Sequence, residues 1–500
     1  MSSEAITLTG TWRRAKSSFL KVGTCEAFIL IVICIGVSVL CEDWIAGLAV
    51  FVLWVGWHWL PRAEGPPVIQ FAFTFQWLQV VVGILYYGFT GRRLEAMDQS
   101  DYRPMVLLGL ACLVALFGGV ALGTRALGQH QRGQPGKPSN AFASNELVLL
   151  YLASLVSGGV IEAVAWRIPQ LTGPISVFLN VRLLLLFLIF RRLVYPRFRW
   201  RLFSLILAVE VVLGMTGYFA GFREALIVGG LAIVERFDRH KLQHWVAICA
   251  LLFSTFFLGI LWNSIKGDVR STYYDESQVA SQTARLQRVG TLSSDWIQQD
   301  SASMTANMDQ MVDRIWSIYF PALALSRVPE VLPYEDGAIL WAALYHVIRP
   351  RLLFPDKDPL PSDSDKVVKY SGVWVAGADE NTSVAFGYAI ESYVDFGFPL
   401  MFLPIFVYGI LMGMAYVWFL RSIRHRELAI GFVTVVFWLC LYLFERSWVM
   451  TLAFPGTLML YFGGATFVVD RFLLKRNGPF KPARRLPVPL ATPQIESGLE

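Results

Sequence analysis

Residues 105–123 read MVLLGLACLVALFGGVALG, a run without one charged side chain, bounded by Arg103 and Arg125. About 20 apolar residues, each rising 1.5 Å, cross a hydrocarbon core ~30 Å thick. This run is therefore a transmembrane span, and similar stretches fall at 24–41, 44–60, 68–90, 146–166, 170–190, 202–220, 223–235, 245–263, 397–420, 428–446 and 449–469. The reading is an all-α polytopic membrane protein with about twelve transmembrane helices. Composition agrees. Of 500 residues, 55% are hydrophobic and only 16% charged, against roughly a quarter charged in a soluble domain. The mean hydropathy is +0.51.

Basic residues orient the spans. One set of alternate loops holds Arg13, Arg14, Lys16 and Lys21, then Arg62, then Arg125, Arg132 and Lys137. It continues with Arg191, Arg192, Arg197, Arg199 and Arg201, with Arg236, Arg239 and Lys241, and with Arg421, Arg424 and Arg426. The tail adds six more, from Arg471 to Arg485. The short loops of the other set hold Arg92, Arg93, Arg103, Arg167, Arg223 and Arg446. Cytoplasmic loops carry the excess of Lys and Arg, so both termini are read as cytoplasmic. The clusters at 191–201 and 236–241 must share a side, so the stretch 202–235 must go out and come back. The net charge of +6 is spent on these clusters and does not point to nucleic acid.

Four regions follow. Residues 1–262 carry about nine spans, 263–396 form a large non-cytoplasmic loop, 397–470 carry three spans, and 471–500 are a basic, Pro-rich cytoplasmic tail. The N-terminal run after Trp12-Arg13-Arg14 has no small-residue cleavage site and is read as an uncleaved anchor. In the large loop, Met304, Met308, Met311, Ile315 and Ile318 recur at helical spacing, and Asp336–Ile348 predicts a second helix. The six cysteines all lie in or beside apolar runs, so no disulfide or metal framework is expected.

Several constellations can carry chemistry. Gly221-Phe222-Arg223-Glu224 puts an arginine near an outward-facing helix N-terminus, where N–H groups, dipole and guanidinium together favour a phosphate. The plainer reading pairs Arg223 with Glu224. In Arg349-Pro350-Arg351, proline favours an extended backbone, and residues i and i+2 then point to one side and can clamp an anion. They can equally be solvated loop cations. Arg314 and Arg327 are further cation candidates. If helical, Glu391 and Asp395 share a face with Tyr388, and paired carboxylates can supply a general base. The alternative is a structural cap or pair. His346, the one histidine of the loop, is another candidate base. Asp363-Ser-Asp365 is read as a solvated turn, and Asn381-Thr-Ser383 as a chance sequon. Within the spans, Glu162, Arg182 and Glu210 imply either a structural ion pair or an ion relay.

The stretch Arg349-Pro350-Arg351-Leu-Leu-Phe-Pro355-Asp-Lys357 resembles the PR-x-L-x-P-x-K segment of Wzy-type O-antigen and exopolysaccharide repeat-unit polymerases. Likewise 381–397, from Asn381-Thr-Ser383 through Glu391 and Tyr393 to Phe396-Gly397, resembles that family's T-S-x-x-x-G-x-x-x-E-x-Y-x-x-F-G segment before a late span. Asp395 stands where members often have Asn, which favours Glu391 as the working carboxylate. The resemblance is anchored between about 215 and 415.

It implies a membrane glycosyltransferase of the bacterial inner membrane, acting periplasmically on polyprenyl-pyrophosphate-linked oligosaccharides without a metal or other cofactor. A chain-length regulator and a flippase would be partners. Arg223, Arg349 and Arg351 would hold the pyrophosphate, with Arg314, Arg327 and Lys357 as further cations. Glu391 or His346 would take the hydroxyl proton. Tyr388, Tyr393 and Asp395 would contact the glycan, and Trp296, Trp316, Tyr334, Trp341, Tyr345 and Trp374 could stack on sugars. Two rival readings remain: a ligase using the same donor, and a transporter or flippase built on Glu162, Arg182 and Glu210.

Overall fold

The computed structural model of the chain describes residues 24–60, 66–91, 101–128, 141–167, 172–195, 197–215, 221–235, 237, 238, 240–274, 282–349, 354, 361–377 and 383–476. Every regular element among them is helical. They are α1 (Thr24–Leu40), α2 (Trp44–Trp59), α3 (Val68–Phe89), α4 (Arg103–Gly128), α5 (Ser144–Arg167), α6 (Thr172–Val194), α7 (Trp200–Met215), α8 (Phe222–Glu235) and α9 (Leu242–Tyr274). The large loop contributes α10 (Gln282–Ile297), α11 (Ser301–Ile315), α12 (Tyr319–Arg327), α13 (Ala338–Ile348), α14 (Asp363–Ser371) and α15 (Tyr388–Phe396). Last come α16 (Phe402–Ser422), α17 (Arg426–Leu441), α18 (Trp448–Thr457), a π turn (Leu458–Phe462) and α19 (Gly463–Arg476).

The protein is an all-helical, multi-span membrane protein. Among the described residues, five stretches have the length and apolar character to cross a bilayer: Val68–Phe89, Arg103–Gly128, Leu242–Val269, Phe402–Ser422 and Trp448–Leu474. The other stretches read as spans are helical where they are described, except that the one read as 428–446 leaves the helix after Leu441. Several of them are short, α2 and α17 at 16 residues each among them. With 16 and 14 residues, α7 and α8 rise only about 24 and 21 Å, less than the hydrocarbon core. They meet closely at one end, where a Cβ on Gly214 would fall 2.2 Å from the Phe222 nitrogen.

The tightest crossing joins α4 to α16. A Cβ on Gly119 would lie 2.3 Å from Phe406 O, and one on Gly409 would lie 2.1 Å from Leu116 O. Gly123 and Gly413 repeat the pattern one turn on, at 2.2 Å from Ile410 O and 2.3 Å from Val120 O. Small residues four apart let two helix backbones touch where lipid offers no hydrophobic drive to associate.

At the centre stands α17, buried on every side from Glu427 to Leu441, as befits a helix that is apolar all round. It stops at a break, 442–447, before α18 begins. Polar backbone at membrane depth must find partners inside the protein, and here side chains of α3 provide them. Gln76 donates to Leu441 O at 2.5 Å. Gln79 donates to Tyr442 O at 3.0 Å and accepts from the Phe444 N–H at 2.8 Å. Arg446 donates back to Leu439 O at 2.6 Å. Further along, Pro455 has no N–H to give, and the chain widens into the π turn at Leu458–Phe462. Gln79→Leu removes both partners from the break at nearly constant volume. We expect it to lower stability by about 2–4 kcal/mol, read as a fall in the thermal midpoint in detergent, with Gln70→Leu, which gives up a long 3.5 Å bond to Leu60 O, as the milder reference.

The helices predicted in the large loop form, at Ser301–Ile315 and Ala338–Ile348. The methionine stripe packs inward. On the same helix, Asp309 and Asp313 accept from the Tyr86 and Tyr87 hydroxyls at 2.7 and 2.9 Å, which fastens α11 along one end of α3. The expected solvated turn at 363–365 is instead the start of α14. Ser362 and Asp365 form a reciprocal capping box there, and Asp363 takes an ion pair from Lys366 at 3.2 Å.

Candidate functional site

A cavity of about 240 Å³ lies where four parts of the chain converge. The start of α8 brings Phe222 and Arg223, α9 brings Gly259, Trp262, Asn263 and Lys266, α11 and the residues just after it bring Met311, Arg314 and Ser317, and the break brings Leu443 and Glu445. Phe75 and Gln79 of α3 complete the wall.

Each part is held locally. Phe222 is fully buried and meets Trp262 edge-on with ring centroids 6.0 Å apart, which fixes the first turn of α8 and the adjoining Arg223. Gly259 admits Met311, whose Cε would lie 2.6 Å from a Cβ there, so α11 packs closely on α9. Lys266 donates to Asn263 Oδ1 at 2.6 Å, one turn back on the same helix. The segment after α11 docks on α3: Ser317 N–H donates to Gln79 O at 3.0 Å, and the Trp316 indole donates to Val80 O at 3.2 Å. Trp316 needs the bare backbone of Gly83, where a Cβ would fall 2.6 Å from the indole. Gln79, bonded to both sides of residue 443, sets the position of Glu445.

The cavity is lined by three cations, Arg223, Lys266 and Arg314, and by one carboxylate, Glu445. The formal sum is +3 − 1, or +2. Aromatic and methionine walls lower the local dielectric and strengthen the pull of those cations on an anion. The first turn of α8 adds the positive end of a helix dipole. Arg223 and Arg314 carry ten N–H donors between them, in forks that match phosphate oxygens.

Of the residues singled out in the sequence, Arg223 and Arg314 meet in this cavity. The other described site candidates lie elsewhere. Glu391 is fully buried. One oxygen takes Lys366 Nζ at 2.7 Å, and the other accepts the Trp448 N–H at 2.6 Å. Burial holds its carboxyl above the ordinary range, with Lys366 pulling the other way. Burial likewise lowers the Lys366 ammonium, but Glu391 and Asp363 outweigh it and leave Lys366 above the usual lysine value. Asp395 does not share a task with Glu391: it accepts the Ile339 and Leu340 N–H groups at 3.0 and 2.7 Å and so caps α13. Tyr388 donates to Gln76 Oε1 at 2.7 Å, and Tyr393 to Val328 O at 3.1 Å. Arg327 is half-buried, its Nη1 2.3 Å from where a Cβ on Gly372 would be. His346 is half-buried on α13. Arg349 stacks on Tyr345 and Phe354 at 4.1 and 5.4 Å. Arg351 and Lys357 lie outside the described residues.

Within the membrane region, Arg182 pairs with Glu210 at 3.2 Å, and the Tyr151 hydroxyl donates to the same carboxylate. This is the structural ion pair foreseen for it; the side chain of Glu162 is outside the described residues. Among the described residues, no group of three His, Cys, Asp or Glu side chains is placed to hold a metal ion.

Sequence reasoning missed Lys266, Asn263, Gln79 and Glu445. Two signals were there to read. Gln76 and Gln79 stand three apart on one face of a largely apolar span, and Glu445-Arg446 is a charged pair in the short link between two late spans.

A family described as a domain of unknown function, DUF8712, matches residues 114–417. That range includes Arg223, Lys266, Arg314 and all four glycines of the α4–α16 crossing, and excludes Gln79 and Glu445. Neither a curated protein nor a solved structure matches the chain. Because the match spans more than half of the 500 residues, the chain belongs to the DUF8712 family.

Proposed function

We propose that this protein is a membrane glycosyltransferase that joins polyprenyl-pyrophosphate-linked oligosaccharide units at the external face of the bacterial inner membrane. The observation that carries the reading is the cavity itself: Arg223, Lys266 and Arg314 gathered around one carboxylate. A diphosphate bridging a lipid and a sugar carries two negative charges, which the formal sum of +2 balances. The resemblance of 349–357 and 381–397 to Wzy-type polymerases supplies the substrate class. The distribution of Lys and Arg among the loops supports the sidedness. By that charge reading, the turn before α8, the large loop with α11, and the break after α17 all belong on the external side, and these are segments that line the cavity.

In the proposed reaction, a hydroxyl of one repeat unit attacks the anomeric carbon of another. A new C–O bond forms, and the bond from that carbon to the lipid diphosphate breaks. The diphosphate leaves with the bonding electron pair, and Arg223, Lys266 and Arg314 stabilise the charge that develops. The hydroxyl proton passes to Glu445. We favour Glu445 over Glu391 because Glu391 is closed in by Lys366 and Trp448, whereas Glu445 lines the cavity.

Deleting the gene should leave single repeat units on the carrier lipid. Long chains left on that lipid would instead indicate the ligase. Arg223→Ala and Arg314→Ala should each abolish long polymer, with partial return in the lysine variants. Glu445→Gln should slow transfer by about 10²–10⁴-fold. Normal polymer from an Arg223→Ala/Arg314→Ala double variant overturns the assignment.

A further inference from the structure

We propose that α13 lies in the external leaflet of the bilayer as an interfacial helix, with Trp341, Tyr345 and Ile348 facing lipid, rather than standing in water as part of a soluble loop. The sequence of α13, AILWAALYHVI, has His346 as its only titratable group that could be cationic, and no carboxylate. A helix that is apolar all round belongs in an apolar medium. Yet only one side of α13 is covered by protein. Ile339, Ala342 and Ala343 face the region of α14 and α18, lining a small cavity there with Lys366, Tyr370 and Val449. The opposite stripe, at i, i+4 and i+7, leaves Trp341 70%, Tyr345 49% and Ile348 74% exposed.

Three features say what covers that stripe. First, α13 packs on α18, the leading part of a membrane-crossing stretch. Second, it begins beside the root of α16. Asp395 caps its first turn, and a Cβ on Gly337 would meet the Phe396 ring at 3.1 Å. Phe398, Leu400 and Leu403 follow at once, each at least 60% exposed, as the lipid-facing start of a span. The bare stripe therefore continues a surface that already meets lipid. Third, at the end of α13 the Arg349 guanidinium stacks on Tyr345 and Phe354, the arrangement of an aromatic belt with a cation reaching for headgroups. Eleven residues rise about 16 Å, roughly one leaflet of the hydrocarbon core, so α13 is too short to span and fits a helix lying in the interface. Arg349 is then an anchor, not a clamp on pyrophosphate.

The test uses an environment-sensitive NBD label on Trp341→Cys and, separately, Ile348→Cys, in full-length protein in which Cys25, Cys34 and Cys249 are replaced by alanine. Glu330→Cys is the water-exposed reference and Val407→Cys the lipid-exposed one. In nanodiscs, both α13 positions should emit to the blue of the Glu330→Cys label. They should also lose intensity with doxyl-labelled phospholipid as the Val407→Cys label does. Emission matching Glu330→Cys and indifferent to doxyl lipid overturns the proposal, and a response to soluble oligosaccharide alone would make the stripe a sugar platform in water. Two independent positions guard against one variant folding poorly.

Discussion

Replacing Lys366 with methionine (Lys366→Met) should cost the folded protein about 3–5 kcal/mol, because it strands the Glu391 carboxylate in the interior without a counter-charge. The pair is almost wholly enclosed, with side-chain exposures of 12% and 0%. It also sits at a junction. Asp363 accepts from Ser447 at 3.0 Å, Glu391 holds the first N–H of α18, and the Trp448 indole donates to Ser392 at 2.9 Å. These bonds bind α14 and α15 to the end of the break and the start of α18, so the pair stands at a structural junction. Glu391→Gln should be milder, since Lys366 keeps Asp363 at 3.2 Å. The double variant should recover part of the loss, because the Glu391 charge is then gone and only Asp363 lacks its lysine.

Acidity offers a second reading of the same variant. Burial already raises the Glu391 carboxyl, and Lys366 restrains it, so without the lysine the folded value rises further. A carboxyl that holds its proton more tightly folded than unfolded favours the fold at low pH. That advantage fades as pH climbs from the unfolded value of about 4.3 through the folded one. The Lys366→Met deficit should therefore shrink on acidification. Thermal midpoints in detergent across pH check this, and a deficit independent of pH would place its cause in packing, not charge.

The long apolar helices were legible because a bilayer leaves so few options: long apolar runs and flanking basic residues are nearly the whole signal, and five of the stretches so read are, among the described residues, helices long and apolar enough to cross it. The methionine stripe of α11 showed for the same reason, as periodicity. What stayed hidden depends on distant partners. Asp363-Ser-Asp365 looks like a solvated turn until Ser362 and Asp365 close their box and Lys366 reaches Glu391, 25 residues away. Gln76 and Gln79 look like blemishes in a span until a break opposite them, more than 360 residues on, needs its backbone satisfied. Arg223 was readable as a candidate anion ligand from its turn alone. Glu445 was not, because nothing local says that the link after α17 folds toward α8 and α11. The glycine pairs were readable as small-x-x-x-small motifs, but only the packed helices show that they face each other.

Those glycines carry the other large expectation. Gly409→Leu should cost about 4 kcal/mol or more, the range reserved for a mechanism such as severe overpacking. Most overpacking is relieved by a neighbour changing rotamer. Here the obstacle is Leu116 O, 2.1 Å from the new Cβ, and a backbone carbonyl in mid-helix cannot step aside. The only relief is for α4 and α16 to part, and parting them loosens the matching contacts at Gly119, Gly123 and Gly413 together. Even Gly409→Ala should destabilise, although alanine is the better helix former by about 1 kcal/mol. Gly230 in α8 supplies the opposite sign. Nothing lies within 4 Å of a Cβ there, so Gly230→Ala should be neutral or stabilising. Thermal unfolding of the two alanine variants in the same detergent decides between packing and propensity. If both shift the midpoint alike, the crossing is not as close as its geometry requires. If Gly409→Ala alone falls, the fold rests on two backbones in contact, held there by the absence of four side chains.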